Sequence, residues 1–249
     1  MKIGVIGLGL IGGSIFKDLI KLGYDVVGVS QSQTGENIYK DYSALKDCEI
    51  IFVCSAMNKT LNILEELEKF LSAETVVTDV CSLKKFVCQK QRPYKFIPSH
   101  PMAGTEKKGF ENSFEGMFNG AKWIVTPVFG EDNRLIEIIK KLGATPVITT
   151  PEKHDEAVAI ISHMPMLISQ AIFKTAQDNE LALNIAASGF RDMTRLAMSN
   201  EEMANDMITM NSENIQNAIL KLYKFIGDLT NSNYLEQIKE IKSNRQKMF

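Results

Sequence analysis

Histidine is scarce in this 249-residue sequence, which contains only His100, His154 and His163. The position of each histidine is therefore informative. No pair has the spacing of a metal-binding motif such as H-E-x-x-H, so the sequence predicts no metal site. Tryptophan occurs once, at Trp123, and is most simply interpreted as a core residue.

The sequence also lacks a large excess of either positive or negative residues. Lysine and arginine total 28, aspartate and glutamate total 30, and the net charge is −2. This balance argues against non-specific binding of nucleic acid. No uninterrupted apolar run reaches ~18 residues, so no membrane-spanning segment is expected. Hydrophobic residues still make up 45% of the chain, which excludes a disordered chain and a disulfide miniprotein.

Cysteine is present but lacks the patterns that give it a structural or redox role. The four cysteines have no C-x-x-C spacing, and no secretory leader precedes the first strand-like segment. We therefore expect free thiols and a cytoplasmic protein. The cysteines are Cys48, Cys54, Cys81 and Cys88.

The N-terminal segment carries a glycine motif. An apolar run at Lys2–Ile6 predicts a buried strand, the pattern G-x-G-x-x-G follows at 7–12, and a helical periodicity leads to a second strand at Asp25–Val29. The first glycine permits a tight turn, the second lets the backbone approach a pyrophosphate, and the third lets the helix pack on the strand. This context predicts dinucleotide binding and not a merely structural turn. The expected cofactor-binding residues are Gly7, Leu8, Gly9, Leu10, Ile11, Gly12, Ser30 and Ser55.

The segment after the second strand bears on the choice of dinucleotide. NAD sites usually place Asp or Glu here to bind the ribose 2′-hydroxyl. This chain has Ser30-Gln31-Ser32-Gln33-Thr34 instead, which removes repulsion against a 2′-phosphate but offers no arginine to pair with it. The loop slightly favours NADP and leaves NAD open, and it is also consistent with a plain solvated loop.

Polar residues follow several further predicted strands. Strands are predicted at 49–53, 75–78, 95–97, 122–126 and 145–148, with helices at 58–71 and 132–142. Ligands of such sheets bind beyond the C-terminal strand ends, so Ser55, Ser82 and His100 are expected to converge near the nicotinamide. Ser82 is also interpreted as the start of a helix, where it could serve as an N-cap.

Strand signals stop after Thr150, which fits an N-cap before Pro151 at the first helical position. Helices are predicted at 152–178, 180–187, 190–198, 200–229 and 234–242, with Ser188-Gly189 as a separator. Pro165 predicts a break near Met164. On a straight helix, His154 and His163 would face opposite sides.

These patterns together predict the fold. We expect an α/β N-terminal Rossmann-type dinucleotide-binding domain at 1–150, followed by an all-α C-terminal domain at 151–249. The C-terminal domain carries a methionine-rich stripe, which is by default interpreted as ordinary core. A helical domain on a dinucleotide fold also often forms a dimer interface, and we expect a homodimer through these helices.

Five segments, taken in order, resemble the prephenate/arogenate dehydrogenase family of tyrosine biosynthesis, in its short monofunctional form. They are Gly-Leu-Gly-Leu-Ile-Gly-Gly-Ser at 7–14, Thr-Asp-Val-Cys-Ser-Leu-Lys at 78–84, Ser-His-Pro-Met-Ala-Gly-Thr-Glu at 99–106, His-Asp at 154–155 with Ser-His-Met-Pro at 162–165, and Ser-Gly-Phe-Arg-Asp-Met-Thr-Arg at 188–195. The third and fifth segments are the most specific, and the resemblance covers nearly the whole chain.

This resemblance implies an NAD(P)-dependent oxidative decarboxylation of prephenate to 4-hydroxyphenylpyruvate. Hydride leaves ring carbon C4 for the nicotinamide, the C4 hydroxyl loses its proton, and carbon dioxide departs as the ring becomes aromatic. The protein must therefore accept a proton, place C4 over the nicotinamide and hold two carboxylates.

The resemblance also implies roles for individual residues. His100 matches the catalytic histidine that accepts the hydroxyl proton, and Ser82 matches the serine that orients this hydroxyl. Arg195 matches an arginine that grips a carboxylate bidentately. His163 matches a second active-site histidine, and Thr105 is expected near the substrate.

Neighbouring polar residues are assigned supporting roles. Asp155 and Asp192 are expected to belong to the network around the active site, and Arg191 to be structural or secondary. His154 is balanced between an ordinary satisfied or exposed side chain and a supporting polar role.

Other activities stay open at this point. Arogenate carries an ammonium where prephenate carries a keto oxygen, and Glu106 is a candidate to face it; prephenate is favoured as the commoner activity of the family. An oxidoreductase of the hydroxyacid dehydrogenase type would be expected to use a helical lysine and would leave His100 unused. A non-catalytic NADP sensor would need the glycine motif, but not His100, Ser82 and Arg195 together.

Overall fold

A computed structural model of the chain describes residues 1–105, 107–231 and 233–248. Strands and helices alternate in its first part, as the apolar runs and helical periodicities predict. The strands are β1 (Lys2–Ile6), β2 (Asp25–Val29), β3 (Ile38–Tyr39), β4 (Ile50–Val53), β5 (Val76–Asp79), β6 (Lys95–Phe96), β7 (Ser99–Pro101), β8 (Lys122–Val125) and β9 (Thr145–Ile148). The helices between them are α1 (Leu10–Lys21), α2 (Met57–Leu67) and α3 (Asn133–Lys141).

The main sheet is parallel and has six strands in the order β3-β2-β1-β4-β5-β6. The chain moves from β1 outward to β2 and β3 and then returns to the other side of β1 with β4. Ligands of such sheets bind at this reversal, outside the C-terminal strand ends. The glycine motif follows β1 directly and so lies at that position.

The strands next to the reversal are buried on both faces. Every residue of β4 is buried, as expected for an apolar run in a sheet covered by helices on both sides. Trp123 of β8 is fully buried and packs against Phe52 and Phe118, which confirms its interpretation as a core residue. The core therefore connects the main sheet to the neighbouring small sheet.

His100 lies in a strand and not in a loop, contrary to the prediction. The strand β7 pairs antiparallel with β8, with His100 opposite Ile124, and β8 pairs in parallel with β9 to form a second, three-stranded sheet. The pairing with β8 fixes the backbone of His100 on one side, because β7 is an edge strand of this sheet. Residues 122–126 and 145–148 thus form strands as predicted, but in this second sheet.

The second part of the chain is helical, and Pro151 opens its first helix with Thr150 as N-cap, as predicted. Its α-helices are α4 (Pro151–Val158), α5 (Met164–Gln177), α6 (Glu180–Asn184), α7 (Ser188–Thr194), α8 (Glu201–Met210), α9 (Ser212–Asn231) and α10 (Tyr234–Met248). The predicted architecture, an α/β part followed by a helical part, is confirmed. The exact division at residue 150 into two domains stays a prediction.

Two of the predicted helical boundaries are wrong. Ser188 and Gly189 do not separate two helices, because they form the first turn of α7. The predicted helix at 200–229 is divided at Asn211 into α8 and α9. The side chain of Asn211 is turned inward, where it binds the main chain of Asp155 and the ring of His163.

The helix at Pro165 is interrupted, as predicted. A π-helical turn at Ala159–His163 joins α4 to α5. Proline cannot donate its backbone hydrogen bond and crowds the preceding turn, which favours such a widened turn. The expectation that His154 and His163 face opposite sides holds for a straight helix, and the π turn, which rotates less per residue than an α turn, removes that condition. Asn211 contacts the ring of His163 and the main chain of Asp155, the residue after His154.

The segment Pro151–Gln177 is long and apolar enough to cross a membrane by length and composition alone, although no uninterrupted apolar run in it reaches ~18 residues. Core helices of soluble proteins reach the same length and composition. This segment carries the buried polar residues His154, Asp155 and His163, which hydrogen-bond to other parts of the protein. These contacts tie the first part of the segment to the rest of the protein.

Candidate active site

The glycine turn after β1 has the shape that a dinucleotide requires. Gly7 has a φ of 84°, and a Cβ atom there would lie 2.5 Å from the carbonyl oxygen of Cys54. A Cβ atom on Gly12 would lie 2.1 Å from the carbonyl oxygen of Gly7. Side chains are therefore excluded at both positions by the backbone that directly follows β1 and β4. The Cβ position of Gly9 has nothing within 4 Å, so space for a phosphate lies above the start of α1.

The remaining predicted cofactor residues surround this turn. Leu8 is buried in the core, and Leu10 and Ile11 form the first turn of α1. Ser30 follows β2, and its hydroxyl accepts a hydrogen bond from the Gln33 amide at 3.1 Å. The site thus has the form of a dinucleotide site, and the role of each residue in it stays a prediction.

Two serines lie after the strands next to the reversal. Ser55 follows β4, and its hydroxyl is 2.8 Å from the hydroxyl of Thr60. Ser82 is half-buried in the loop after β5, where no α-helix begins, so its interpretation as a helix N-cap is wrong. The hydroxyl of Ser82 makes no hydrogen bond to the described part of the chain.

His100 is the first member of a chain of three hydrogen-bonded side chains. Its Nδ1 atom is 3.0 Å from Nε2 of His154, and the two rings meet edge to face. The other ring nitrogen of His154, Nδ1, is 2.7 Å from Oδ1 of Asp155. The backbone amides of Lys84 and Lys85 donate to the two carboxylate oxygens of Asp155 at 2.8 and 2.9 Å.

These hydrogen bonds determine which ring nitrogen of each histidine carries the proton when both rings are neutral. The carboxylate of Asp155 only accepts hydrogen bonds, so the proton of His154 is on Nδ1. Nε2 of His154 is then an acceptor, and Nδ1 of His100 must carry the proton that it receives. Nε2 of His100 is left with its lone pair, and no residue in the described ranges hydrogen-bonds to it. His100 is therefore prepared to accept a proton through Nε2.

The surroundings of His100 favour its neutral form. Burial, the ring of His154 and the positive charge of Lys84 hold the pKa of His100 well below its usual value of 6.5, and His163 adds to this effect. A base must be unprotonated to act, so this environment keeps His100 competent at neutral pH.

Lys84 lies behind this group as one half of a buried ion pair. Its ammonium binds Oδ2 of Asp79 and the carbonyl oxygen of Ser99 at 2.6 Å, and neither charged side chain is exposed to solvent. Asp79 ends β5 and Ser99 precedes His100 in β7. The pair therefore closes the loop that carries Ser82 and fastens it to the strand that carries His100.

His163 is buried beside the hydrogen-bonded side chains of His154 and Asp155. Its Nδ1 atom is 3.2 Å from Nδ2 of Asn211, which also donates to the main chain of Asp155 at 2.8 Å. Burial lowers the pKa of His163 to about 4, although Asp155 opposes this shift. The three histidines are thus brought into one neighbourhood.

Other predicted site residues are not joined to this group. Thr105 is exposed and accepts a hydrogen bond from the Lys107 amide at 3.2 Å. Arg195 is exposed in a 3-10 turn after α7 and makes no ion pair within the described ranges. Arg191 and Asp192 are exposed, and Nε of Arg191 lies 3.7 Å from Oδ1 of Asp192. Glu106, the candidate specificity residue, lies outside the described residues.

Two pairs of residues have contacts in the site that the sequence did not indicate. His154 and Asp155 are adjacent in the sequence, yet only the fold brings His154 against His100. Asp79 and Lys84 belong to the segment 78–84 that the sequence singled out, but nothing in the pattern shows that both are buried. The sequence does carry a signal for the first pair, because the two hydrogen-bonded residues are adjacent in the chain.

Two family models match consecutive parts of the chain. The model described as "Prephenate dehydrogenase, nucleotide-binding domain" matches residues 29–148. The model described as "Prephenate dehydrogenase, dimerization domain" matches residues 150–243. The two matches meet where the strands end and the helical part begins.

Individual relatives agree with these matches. A prephenate dehydrogenase of Bacillus subtilis is 32% identical in an alignment 240 residues long, which covers 84% of this chain and 64% of the relative. The chain thus spans just under two thirds of the length of that relative. A crystal structure of Synechocystis arogenate dehydrogenase is 32% identical, covers 100% of both chains and superposes with a TM-score of 0.86.

A third similar protein was solved with ligands. It is the prephenate dehydrogenase of A. aeolicus in complex with hydroxyphenyl propionate and NAD+, with a TM-score of 0.86, 25% identity, and coverage of 100% of this chain and 98% of that one. The fold, the glycine turn and these matches all agree with the resemblance seen in the sequence. The chain belongs to the prephenate dehydrogenase family.

Proposed function

We propose that this protein catalyses the NAD(P)-dependent oxidative decarboxylation of prephenate to 4-hydroxyphenylpyruvate. The observation that carries the proposal is the hydrogen-bonded chain His100–His154–Asp155, which leaves Nε2 of His100 free to accept a proton. The strand of His100 lies next to a sheet whose reversal bears a glycine turn of dinucleotide-binding shape. Both a proton acceptor and a hydride acceptor are what this reaction needs.

Each residue of the site has a separate role in this reaction. His100 accepts the proton of the C4 hydroxyl on Nε2, and Ser82 orients this hydroxyl. Asp155 keeps the proton of His154 on Nδ1, and Nε2 of His154 in turn holds the Nδ1 proton of His100 in place, so that Nε2 of His100 stays the accepting atom. Arg195 and Thr105 bind the substrate carboxylates together with His163. A bound nicotinamide supplies the hydride acceptor, and loss of carbon dioxide makes the ring aromatic.

NADP is the cofactor that we propose as preferred, with NAD as the second possibility. The loop at the end of β2 has no carboxylate from Ser30 to Thr34, so no acidic group within it repels a 2′-phosphate. The A. aeolicus relative was solved with NAD+, which keeps NAD open within the family.

Arogenate is a second candidate substrate. The relative from Synechocystis, which aligns over the whole chain at 32% identity, is an arogenate dehydrogenase. Both substrates share the ring that is oxidised, so the same acceptor His100 serves either. Only the group that faces the side-chain keto oxygen or ammonium distinguishes them.

We further propose a cytoplasmic homodimer with a domain boundary near residue 150. The helical part matches a family model described as a dimerization domain, and it exposes many apolar side chains. The four cysteines are free thiols, which suits a reducing compartment.

The function is tested with the purified protein, prephenate or arogenate, and NAD or NADP, by the absorbance of the reduced nicotinamide. We expect turnover with prephenate above that with arogenate. His100→Asn should lower kcat by ~10²- to 10⁴-fold, because it removes the proton acceptor. Binding of the reduced cofactor should be unchanged in this variant.

Absence of turnover with both substrates and both cofactors would contradict the proposed activity. Full turnover by His100→Asn would instead contradict the role of His100 while leaving the activity in place. Faster turnover with arogenate would select the second candidate.

A further inference from the structure

The ends of β2 and β3 lie side by side on the edge of the sheet that carries the glycine turn. The two strands are parallel, with Val29 opposite Tyr39, and Ser30 donates its amide hydrogen to the carbonyl oxygen of Tyr39 at 3.0 Å. Ser30 and Lys40 are the first residues after these strands. Lys40 is therefore a neighbour of Ser30 in space, although ten positions separate them in the sequence.

Lys40 is exposed, and its ammonium binds the loop that follows β2. It donates to the carbonyl oxygens of Gln31 at 2.8 Å and of Gln33 at 2.9 Å, and the amide of Gln31 donates back to the carbonyl oxygen of Lys40 at 2.9 Å. A lysine ammonium has three N–H donors, so one remains for an acceptor outside the loop. Lys40 is thus a surface lysine whose ammonium two main-chain oxygens position at this loop.

The rest of the loop is suited to an anion. The hydroxyls of Ser30 and Ser32 are 3.5 Å apart, and the segment 30–35 contains no acidic residue. Of the acids that flank the segment, Asp41 is engaged at 2.7 Å with the amide of Ser43, where it caps a short 3-10 turn. The other, Glu36, is exposed.

We propose that Lys40 binds the 2′-phosphate of NADP, in a subsite completed by the hydroxyls of Ser30 and Ser32. In this sheet type the ribose 2′ group lies at the end of the second strand, which is where the two hydroxyls lie and where the ammonium of Lys40 binds the same loop. The cation that an arginine of the loop would supply comes here from the next strand instead. This inference rests on the proposed dinucleotide-linked function and names the residue that determines its cofactor.

The test measures binding without substrate, by the fluorescence of NADPH and NADH. The wild-type protein should bind NADPH more tightly than NADH. Lys40→Met should weaken NADPH binding about tenfold, the loss of one charge-assisted hydrogen bond, and change NADH binding by less than about twofold. Raising the salt concentration should reduce the NADPH preference of the wild type more than that of the variant.

Two controls isolate the 2′-phosphate. Lys46→Met removes an exposed lysine of the same charge six positions further on, and should leave both affinities unchanged. Adenosine 2′,5′-bisphosphate should displace NADPH more effectively than adenosine 5′-phosphate from the wild type, and this advantage should be lost in Lys40→Met.

Unchanged NADPH affinity in Lys40→Met, or an equal loss for NADH and NADPH, would overturn the inference. Wild-type protein that binds NADH and not NADPH would overturn it as well, while the proposed dehydrogenase function would stand. Binding of neither dinucleotide would overturn both.

Discussion

His163 lies in an environment that disfavours its charged form, and this makes the free energy of unfolding depend on pH. Its pKa is about 4 in the folded protein, against 6.5 for an ordinary histidine. Between these values the unfolded chain binds a proton that the folded chain does not, so the free energy of unfolding rises with pH. The contribution is complete above about pH 6.5 and is lost as the pH falls towards 4, to a total of about 3 kcal/mol.

Urea unfolding of the wild type and of His163→Gln at several pH values measures this contribution. The difference between the two curves should be steepest between pH 6.5 and 4.5, with the wild type losing stability faster on acidification. Parallel curves across this range would contradict the assignment, because only a titrating His163 separates the two proteins.

His154 controls the state of His100 in two ways that substitutions separate. Its Nε2 atom accepts the proton of His100 Nδ1, and its ring lowers the pKa of His100. His154→Leu removes the acceptor, so His100 can adopt the wrong tautomer, and kcat should fall by ~10²-fold. His154→Gln can supply an amide oxygen as acceptor and should retain more activity than His154→Leu.

The pH profile distinguishes this positioning role from simple loss of structure. Turnover falls as the pH drops through the pKa of His100, because the protonated ring cannot accept a proton. In the wild type the acidic limb of kcat/KM should lie below pH 6.5, since that pKa is lowered. In both His154 variants the limb should move to higher pH. A limb that stays in place while kcat falls would assign His154 a structural role only.

At the scale of elements, the buried pair of Asp79 and Lys84 joins the loop after β5 to β7. Lys84→Met alone leaves a buried carboxylate without its counter-charge and should destabilise the fold by about 3–5 kcal/mol. Asp79→Asn with Lys84→Met removes both charges and should be less destabilising than either single change. A residual loss of about 1 kcal/mol is expected, because the carbonyl oxygen of Ser99 loses its donor.

Denaturant unfolding of the two single variants and the double variant measures this coupling. Additive losses in the double variant would contradict a direct interaction between the two charges. Far-ultraviolet circular dichroism of each variant provides the control that the native fold is still formed before unfolding.

The sequence predicted elements well where their cause is local. The segment β1–α1–β2 is specified by adjacent apolar runs and by glycines whose Cβ atoms would collide with the backbone. Likewise Thr150 and Pro151 mark the start of α4 by their own chemistry. Such signals depend on residues within one or two turns of each other.

Elements that depend on distant partners were missed or misplaced. The strand β7 has three residues and exists because His100 pairs with Ile124 of β8. The break between α8 and α9 lies at Asn211 because its side chain binds residues of α4 and the π turn. The same reason explains the candidate site: His100 and the glycine turn were identified from their segments, whereas the contacts of His154, Lys84 and Lys40 arise from the tertiary fold.

At the scale of the whole molecule, the helical part leaves a large apolar surface uncovered in a single chain. Along α9, Ile219, Tyr223 and Ile226 recur at helical spacing and are exposed, and Tyr223 is 77% exposed. Soluble monomers rarely expose extended apolar stripes of this kind, so a second copy of the chain is the expected partner.

This surface makes the oligomeric state testable by substitution. Sedimentation equilibrium at micromolar concentration should give the wild type twice the chain mass of 27.9 kDa. Tyr223→Glu places a charge within the apolar stripe and should shift the protein to the single-chain mass, since burying an unpaired carboxylate costs more than the interface gains there. Ile20→Glu, an exposed apolar residue of α1 in the α/β part, is the matched control and should remain dimeric. A wild type of single-chain mass would contradict the dimer, and a dimeric Tyr223→Glu would exclude the α9 stripe from its interface.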